Sequence, residues 1–289
     1  MVNNQKAAKR IKQRSLLKKI LAKVFVYAIL LIMYAPILYL IVYSFTSSSQ
    51  IGRWEGLSFE PFIRLFASNN RESKQIWQAV YNTVSIALVS GVISTVLGTT
   101  GAIGIFYSKK RSKNLLEFLT QIPVVNAEIV IALSLTILFV MVKAQFSYAT
   151  LVIGHVVLTV PFVVLSVKPK LTQMDPNLYE AALDLGANQT RALFKVVLPE
   201  IAPGILSGFM LAVTLSLDDY IITTFTKPRT GFDTISTYID AVTKKSGLPI
   251  QVRALTTIIF AVILIVMVAI NIRSSSLVKR RIKKEHEKD

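Results

Sequence analysis

Residues 175–199, DPNLYEAALDLGANQTRALFKVVLP, form a polar island between two strongly apolar segments. The island carries punctuation for two short helices. Asp175 is placed to cap the first, and Pro176 stands at its first helical position, where a missing N–H costs nothing. Leu178, Ala181, Ala182 and Leu185 follow at i, i+3, i+4 and i+7, one narrow apolar stripe. Glu180 lies about 200° around the helix from Leu178, off that stripe. Gly186 supplies a stop, Asn188 a second cap, and Pro199 marks the return to apolar sequence. A stripe of small residues on a helix outside the apolar segments needs a groove to lie in.

The flanking sequence says where the groove must be. The chain has 289 residues, 53% hydrophobic, with mean hydropathy +0.54 and formal net charge +17. That is too apolar for an ordinary soluble domain and normal for a polytopic membrane protein. Lys and Arg gather at the ends of apolar segments, so the charge reads as loop and lipid-facing charge, not as a nucleic-acid surface. There is no cysteine, so thiol chemistry is not available, and the two histidines, His155 and His286, are far apart in sequence, so a histidine metal site is not expected.

The pattern predicts an all-α polytopic membrane protein with six transmembrane helices. They are expected at about 24–45, 79–107, 118–142, 147–167, 201–226 and 253–272, since about 20 apolar residues cross the hydrocarbon core. Residues 1–23, with eight Lys and Arg and no acid, form a basic N-terminal segment; 168–200 is a loop and 273–289 a basic tail. The first apolar run is too long for a signal peptide and lacks a cleavage site, so it reads as an uncleaved span kinked at Pro36. In the second span Ser90, Ser94, Gly98 and Ala102 repeat every four residues, the small-residue pattern of close helix packing. With the N-terminus inside, the inner segments hold 23 of the 33 Lys and Arg, which makes both termini and the 168–200 loop cytoplasmic.

The sequence has no phosphate-binding Gly-x-x-x-x-Gly-Lys-Ser/Thr loop, no Gly-x-Gly-x-x-Gly turn and no plausible Ser/His/Asp grouping. The chain is therefore expected not to be an enzyme, and any uphill transport must draw energy from a partner or a gradient.

Glu180-Ala181-Ala182, Gly186 after three residues, and Val196-Val197-Leu198-Pro199 after nine more resemble the EAA signature of ATP-binding-cassette importer permeases. The one departure is Val196 where the family has Ile. Placement in the cytoplasmic loop before the penultimate span matches as well, and the resemblance covers roughly residues 20–275. It implies the type I importer permease (MetI-like) fold. It also implies that Leu178, Glu180, Ala181, Ala182, Leu185, Gly186, Leu198 and Pro199 belong to a coupling helix docked in a cleft of an ATPase subunit. A lipid-lying amphipathic connector is the alternative, but it would carry larger apolar residues and a basic polar face. Expected partners are a homologous second permease, two ATP-binding subunits, which hold the ATP and Mg, and an extracellular or periplasmic binding protein. This chain itself is expected to carry no cofactor, and the location is the bacterial inner or plasma membrane.

Within that family, Ser216-Leu217-Asp218-Asp219, Gly231-Phe232-Asp233-Thr234 and Val124–Val130 resemble the spermidine/putrescine permeases of the C type. An ionisable group at mid-bilayer costs about 2.5–3.5 kcal/mol, so such groups normally face water or a partner. Asp218 and Asp219 stand about 26 Å into the fifth span. Ser216, Asp219, Thr223 and Thr226 share one helical face, which is expected to line the substrate path. Asp218, Tyr220 and Glu128 are expected to line it too: carboxylates suit a polycation and the ring can hold an ammonium group. The bland alternatives are an Asp paired with Arg253 or capping a helix break, His155 as packing, Asn126 as a helix–helix hydrogen bond, and Trp54 as an interfacial anchor. Another cargo of the same family (an oxyanion, iron or thiamine) is the second reading, though acids do not suit an oxyanion. A lone ion-coupled transporter or channel is the third, disfavoured by the absence of repeated halves.

Overall fold

A computed structural model of the chain describes residues 2–48, 50, 52–67, 70–175, 177–265 and 268, without side chains over 2–18 and at 246. Among the described residues all regular structure is helical. The helices are α1 (Val2–Tyr43), α2 (Glu60–Phe66), α3 (Arg71–Tyr107), α4 (Lys110–Val125), α5 (Glu128–Met141), α6 (Tyr148–Gln173), α7 (Asn177–Asp184), α8 (Gln189–Ala192), α9 (Leu198–Asp218), α10 (Ile221–Thr226) and α11 (Ile235–Ser246). A further apolar helix, α12, covers Ile250–Ile265. The chain divides into two units, residues 1–73 with 242–289, and residues 74–241.

In the first unit α1 runs as one helix through Pro36, so the basic segment is helical and continuous with the apolar run. Arg253, fully buried, donates to the carbonyls of Tyr43 (3.3 Å) and Ser48 (2.6 Å). Its guanidinium thus caps the end of α1 at Tyr43, a carbonyl that a terminating helix leaves open, and ties it to Ser48 of the following loop. Gln251 donates to Glu72, and Trp54 sits edge-on to Tyr43, half-exposed.

The second unit is organised by close approach. Helices α6 and α9 are in contact along their length because glycines leave room: a Cβ at Gly204 would lie 2.8 Å from Lys170 Cγ, and one at Gly208 3.1 Å from Val163 Cγ1. The small-residue ladder of α3 has the same use. Ser90, Ser94, Gly98 and Ala102 are all buried, Ser94 meets Thr159 of α6 at 2.7 Å, and a Cβ at Gly98 would strike Val163 at 2.6 Å. One core joins Ala102 and Ile105 of α3, Val163, Val164, Val167 and Leu171 of α6, and Ile201 and Ala212 of α9. A second joins Ile131, Leu135 and Phe139 of α5 with Leu158 of α6 and Ile222 of α10. Lys168 of α6 also pairs with Glu117 of α4 at 2.9 Å.

Four described helical stretches are long and apolar enough to cross a membrane: Lys19–Tyr43, Arg71–Tyr107, Tyr148–Gln173 and Gln189–Asp218. Counting the bent pair α4–α5 as one span makes five. The expected boundaries shift in three places. Residues 118–142 are not one helix but two at 105°, because Asn126 and Ala127, three and four residues beyond Pro123, take extended dihedrals. Asn126 is therefore an exposed helix end and not a buried helix–helix bond, and Glu128 begins α5, where a carboxylate suits the N-terminal partial charge. Helix α6 runs to Gln173, six residues into the expected loop, through Pro169. Residues 201–226 break at Asp219, which is extended (φ −66°, ψ 131°), so α9 stops and α10 restarts. Of the expected sixth span, α12 covers 253–265; residues 266, 267 and 269–272 and the basic tail lie outside the described residues, as does Pro176.

Candidate functional site

Two places in the second unit concentrate the residues singled out above: the loop around α7, and the break between α9 and α10.

The loop folds by its local signals. Asp175 Oδ1 accepts from the Asn177 N–H at 2.9 Å, and Asn188 Oδ1 from the Arg191 N–H at 2.8 Å. Helix α7 ends as Gly186 adopts φ +83° and the Ala187 N–H donates to the Ala182 carbonyl five residues back, a left-handed stop that closes open carbonyls. Residues 193–197 then make a π turn in which the Leu198 N–H reaches Leu193. Pro199 accounts for it: proline has no N–H for the Lys195 carbonyl and its ring would clash there, so the turn widens.

The stripe divides in the structure. Tyr179, Ala182 and Leu183 are half-buried, with Tyr179 against the core and its ring 5.6 Å from Tyr107. Leu178 (41% exposed), Ala181 and Leu185 (89%) face outward, as does Glu180. Helix α7 is thus seated on the protein by one face and offers the other, small and apolar with a carboxylate beside it. In the same turn Val197 is fully buried, Leu198 half-buried and Pro199 exposed.

At the break the acids separate by role. Asp219 is 6% exposed: its Oδ1 accepts from the Ile222 N–H (3.0 Å) and its Oδ2 from the Thr223 N–H (2.7 Å) and hydroxyl (2.8 Å). It caps the start of α10 from the residue before the N-cap position, Tyr220, which is the helix-break cap weighed above. Ser216, Thr223 and Thr226 are buried with it. The expected polar stripe therefore does not present itself as a lining. A continuous helix was needed for that alignment, and the break turns the stripe inward to satisfy backbone groups that an interrupted helix exposes. The far end of α10 is closed in the same way: Thr136 of α5 donates to the Phe225 carbonyl (3.2 Å) and Thr150 of α6 to the Thr226 carbonyl (3.0 Å).

Asp218, the last residue of α9, is exposed, as is Glu128 at the start of α5. Tyr220 is half-buried, and its hydroxyl donates to Asp240 at 2.9 Å, while the Ser236 hydroxyl donates to the Asp219 carbonyl. The segment after α10 is thereby tied to the break. Asp233 accepts from Lys227 and Thr237, and its carbonyl accepts from Asn82 of α3. Arg253, weighed above as a partner for an Asp, donates instead to Tyr43 and Ser48 of its own unit.

His155 is the residue that sequence reasoning undervalued. Read as packing, it is 1% exposed but bonds at both ring nitrogens, Nδ1 to Ser216 at 2.7 Å and Nε2 to Thr223 at 3.0 Å. Its signal was available: a buried imidazole must have its polar atoms satisfied, and the fifth apolar segment holds hydroxyls at helical spacing.

Comparison with known proteins places this geometry. The profile of the binding-protein-dependent transport system inner membrane component family matches residues 94–284. The spermidine/putrescine transport system permease protein PotC of Escherichia coli K12 is 31% identical over 246 residues, 85% of this chain and 90% of its own length. The putrescine transport system permease protein PotI of the same strain is 31% identical over 241 residues, 81% and 83% of the two chains. A chain of a bacterial ABC transporter that imports the acidic polysaccharide alginate shares the fold with TM-score 0.65 at 14% identity, covering 89% of this chain and 96% of its own. The MetNI methionine ABC transporter in an inward-facing state gives TM-score 0.52 at 16% identity over 68% of this chain and 92% of its own.

Proposed function

This chain belongs to the family of binding-protein-dependent transport system inner membrane components, and on that premise we propose that it is the membrane permease subunit of an ATP-binding-cassette importer for polyamines. The observation that carries the cargo is the 31% identity to a spermidine/putrescine permease across nine-tenths of that relative. The chemistry of the break agrees with it. Helix α9 ends with its terminal carbonyls and an exposed Asp218, and Glu128 is exposed at the start of α5. Helix C-termini and carboxylates both favour cations. Asp219, buried as a cap, sets the geometry of the break and leaves Asp218 and Glu128 to the cargo.

In this reading the chain crosses the bacterial inner membrane six times with both termini in the cytoplasm. The outward face of α7 (Leu178, Ala181 and Leu185, with Glu180) rests in the groove of an ATP-binding subunit. Gly186 ends that helix, Ala182 seats it, and Leu198 and Pro199 start the helix that carries movement toward the break. A homologous permease, two ATP-binding subunits and an external polyamine-binding protein complete the machine. Closure of the ATPase dimer on ATP moves α7, and the path past Asp218 alternates between the two sides.

The test is uptake of labelled spermidine and putrescine into vesicles holding the assembled transporter with its binding protein. ATP-dependent accumulation is expected for at least one, and Asp218→Asn should lower it about tenfold, on the order of one charge contact with the cargo. ATP hydrolysis without accumulation of either polyamine sinks the cargo, and unchanged uptake in Asp218→Asn removes that residue from the path.

A further inference from the structure

The two helices that meet at the break are held together by a side chain from a third. His155 lies on α6, one residue after Gly154, whose lack of a side chain seats α10 directly there: a Cβ at Gly154 would lie 2.7 Å from Ile222 Cγ2 and 3.1 Å from Thr226 Oγ1. From that position the imidazole bonds Ser216, in the last turn of α9, and Thr223, in the first turn of α10. Both of its polar atoms are used on the two sides of one interruption.

Hydrogen counting gives the bonds a direction. The Thr223 hydroxyl hydrogen goes to the Asp219 carboxylate at 2.8 Å, and a carboxylate can only accept. The Thr223 oxygen therefore has only lone pairs to offer His155, so Nε2 carries the ring hydrogen. Nδ1 of that tautomer accepts from the Ser216 hydroxyl. The chain of donors runs Ser216, His155, Thr223, Asp219, starting in α9 and ending on the residue that caps α10. Ser90 of α3 backs it, 3.1 Å from the Ser216 oxygen, and Asp219 Oδ2 is 3.6 Å from Nε2.

We propose that His155 is a positioning residue of the cargo path: by clasping both sides of the α9–α10 break it sets where the Asp218 carboxylate is presented. A residue serving only to fill space would not need two polar atoms in a buried site, where each unmade bond is costly. Helix geometry ties the clasp to Asp218, which is two residues beyond Ser216 and one before the cap, so the fixed points on either side leave its backbone little freedom. The role as stated rests on the polyamine-permease reading, but the clasp itself can be tested without cargo.

The chain has no cysteine, so a single introduced thiol is a clean probe. In the assembled transporter, Asp218→Cys and Thr214→Cys are made separately in three backgrounds: His155 unchanged, His155→Leu and His155→Gln. The rate of modification by a cationic methanethiosulfonate reagent is read on this subunit by mass. Thr214 is exposed one turn earlier on α9, before the break. His155→Leu should change the rate at Asp218→Cys about fivefold or more and at Thr214→Cys less than twofold. His155→Gln, whose amide can both donate and accept, should return most of the native rate. Equal change at both thiols means general loosening, and no change at Asp218→Cys means no clasp; either result overturns the proposal. If His155→Leu does not assemble, Thr223→Val cuts the same chain on one side and is read against the same two thiols. Uptake gives the second readout: His155→Leu and Asp218→Asn together should be no worse than the weaker of the two alone, whereas multiplied losses would mean that His155 acts elsewhere. An unaltered subunit complex that imports no polyamine sinks the cargo reading while leaving the thiol result to decide the clasp.

Discussion

Helix α7 and the break after Asp218 are both polar interruptions in an apolar chain, and they resolve that condition in opposite ways. The α7 loop is closed by its own caps but leaves Leu178, Ala181 and Leu185 outward. The break opens more backbone groups, and its own side chains and its neighbours fill them: Asp219 at one end of α10, Thr136 and Thr150 at the other, Ser236 on the Asp219 carbonyl. The first region is finished locally and open to a partner. The second is open locally and finished by tertiary contacts. A variant in the first should therefore show its effect only in the complex, and a variant in the second should show it in the isolated subunit.

The largest effect expected from this contrast is at Asp219. Asp219→Ala removes the acceptor for the N–H groups of Ile222 and Thr223 in a buried site. Losing a cap costs about 1 kcal/mol and each stranded buried donor about 1–3 kcal/mol. The unfolding transition of the purified subunit should fall by several degrees, and uptake should be lost about a hundredfold. Asp219→Asn, which keeps one carbonyl oxygen, should lie between. A subunit with Asp219→Ala that melts with the native protein would mean that the break is not held from this residue.

Glu180→Lys tests the other region and should separate the two readouts. Glu180 is exposed on α7, so reversing its charge should move the stability of the isolated subunit by no more than about 0.5 kcal/mol. In the complex, transport-coupled ATP hydrolysis should fall at least tenfold. If assembly and coupled hydrolysis survive, the partner does not lie against this face. If the isolated subunit is destabilised, Glu180 is part of the internal fold and the contrast fails from the other side.

The same contrast explains what could be read from the sequence. The loop is written in short-range signals, Asp175, Gly186 and Asn188, each acting within about five residues, and each makes the local bond its type predicts. The four-residue ladder from Ser90 to Ala102 was legible for a related reason, because helical period alone puts those residues on one face. The break was not legible in that way. It has no glycine or proline, and the stretch from Ser216 to Thr226 keeps a helical period that suggests one uninterrupted helix. What overrides the period is a carboxylate acting as cap and partners more than 60 residues away, His155 and Thr150 among them. Asp219 followed by β-branched Ile221, Ile222 and Thr223 was the only local hint, an N-cap residue ahead of poor helix formers. Assigning Asp219 to the path and His155 to packing follows from reading the stretch without its neighbours. The bend at Asn126 is intermediate: Pro123 announced an interruption, but the 105° angle is set by the extended dihedrals of Asn126 and Ala127, which no local signal specifies.

The smallest expected effect gives the sharpest version of the contrast. Gly186 ends α7 at φ +83°, and a Cβ there would meet nothing within 4 Å. Gly186→Ala therefore introduces no clash, only the cost of a left-handed backbone, about 1–2 kcal/mol for a residue with a Cβ. That cost falls on a short surface helix, so the loop can relieve it by unwinding locally, and the unfolding temperature of the isolated subunit should hardly move. In the complex the loop must be wound to present Leu178, Ala181 and Leu185, and the cost then appears as weaker binding of the ATP-binding subunit, about fivefold or somewhat more. Gly186→Asn should recover part of the loss, since asparagine tolerates the left-handed region better than alanine. The measurement is the affinity of the ATP-binding subunit for permeases carrying Gly, Asn or Ala at this position, with unfolding temperature followed in parallel. Affinity in the order Gly, Asn, Ala at constant stability would establish α7 as a surface shaped for a partner. Stability falling in that order with affinity unchanged would make it an ordinary structural turn.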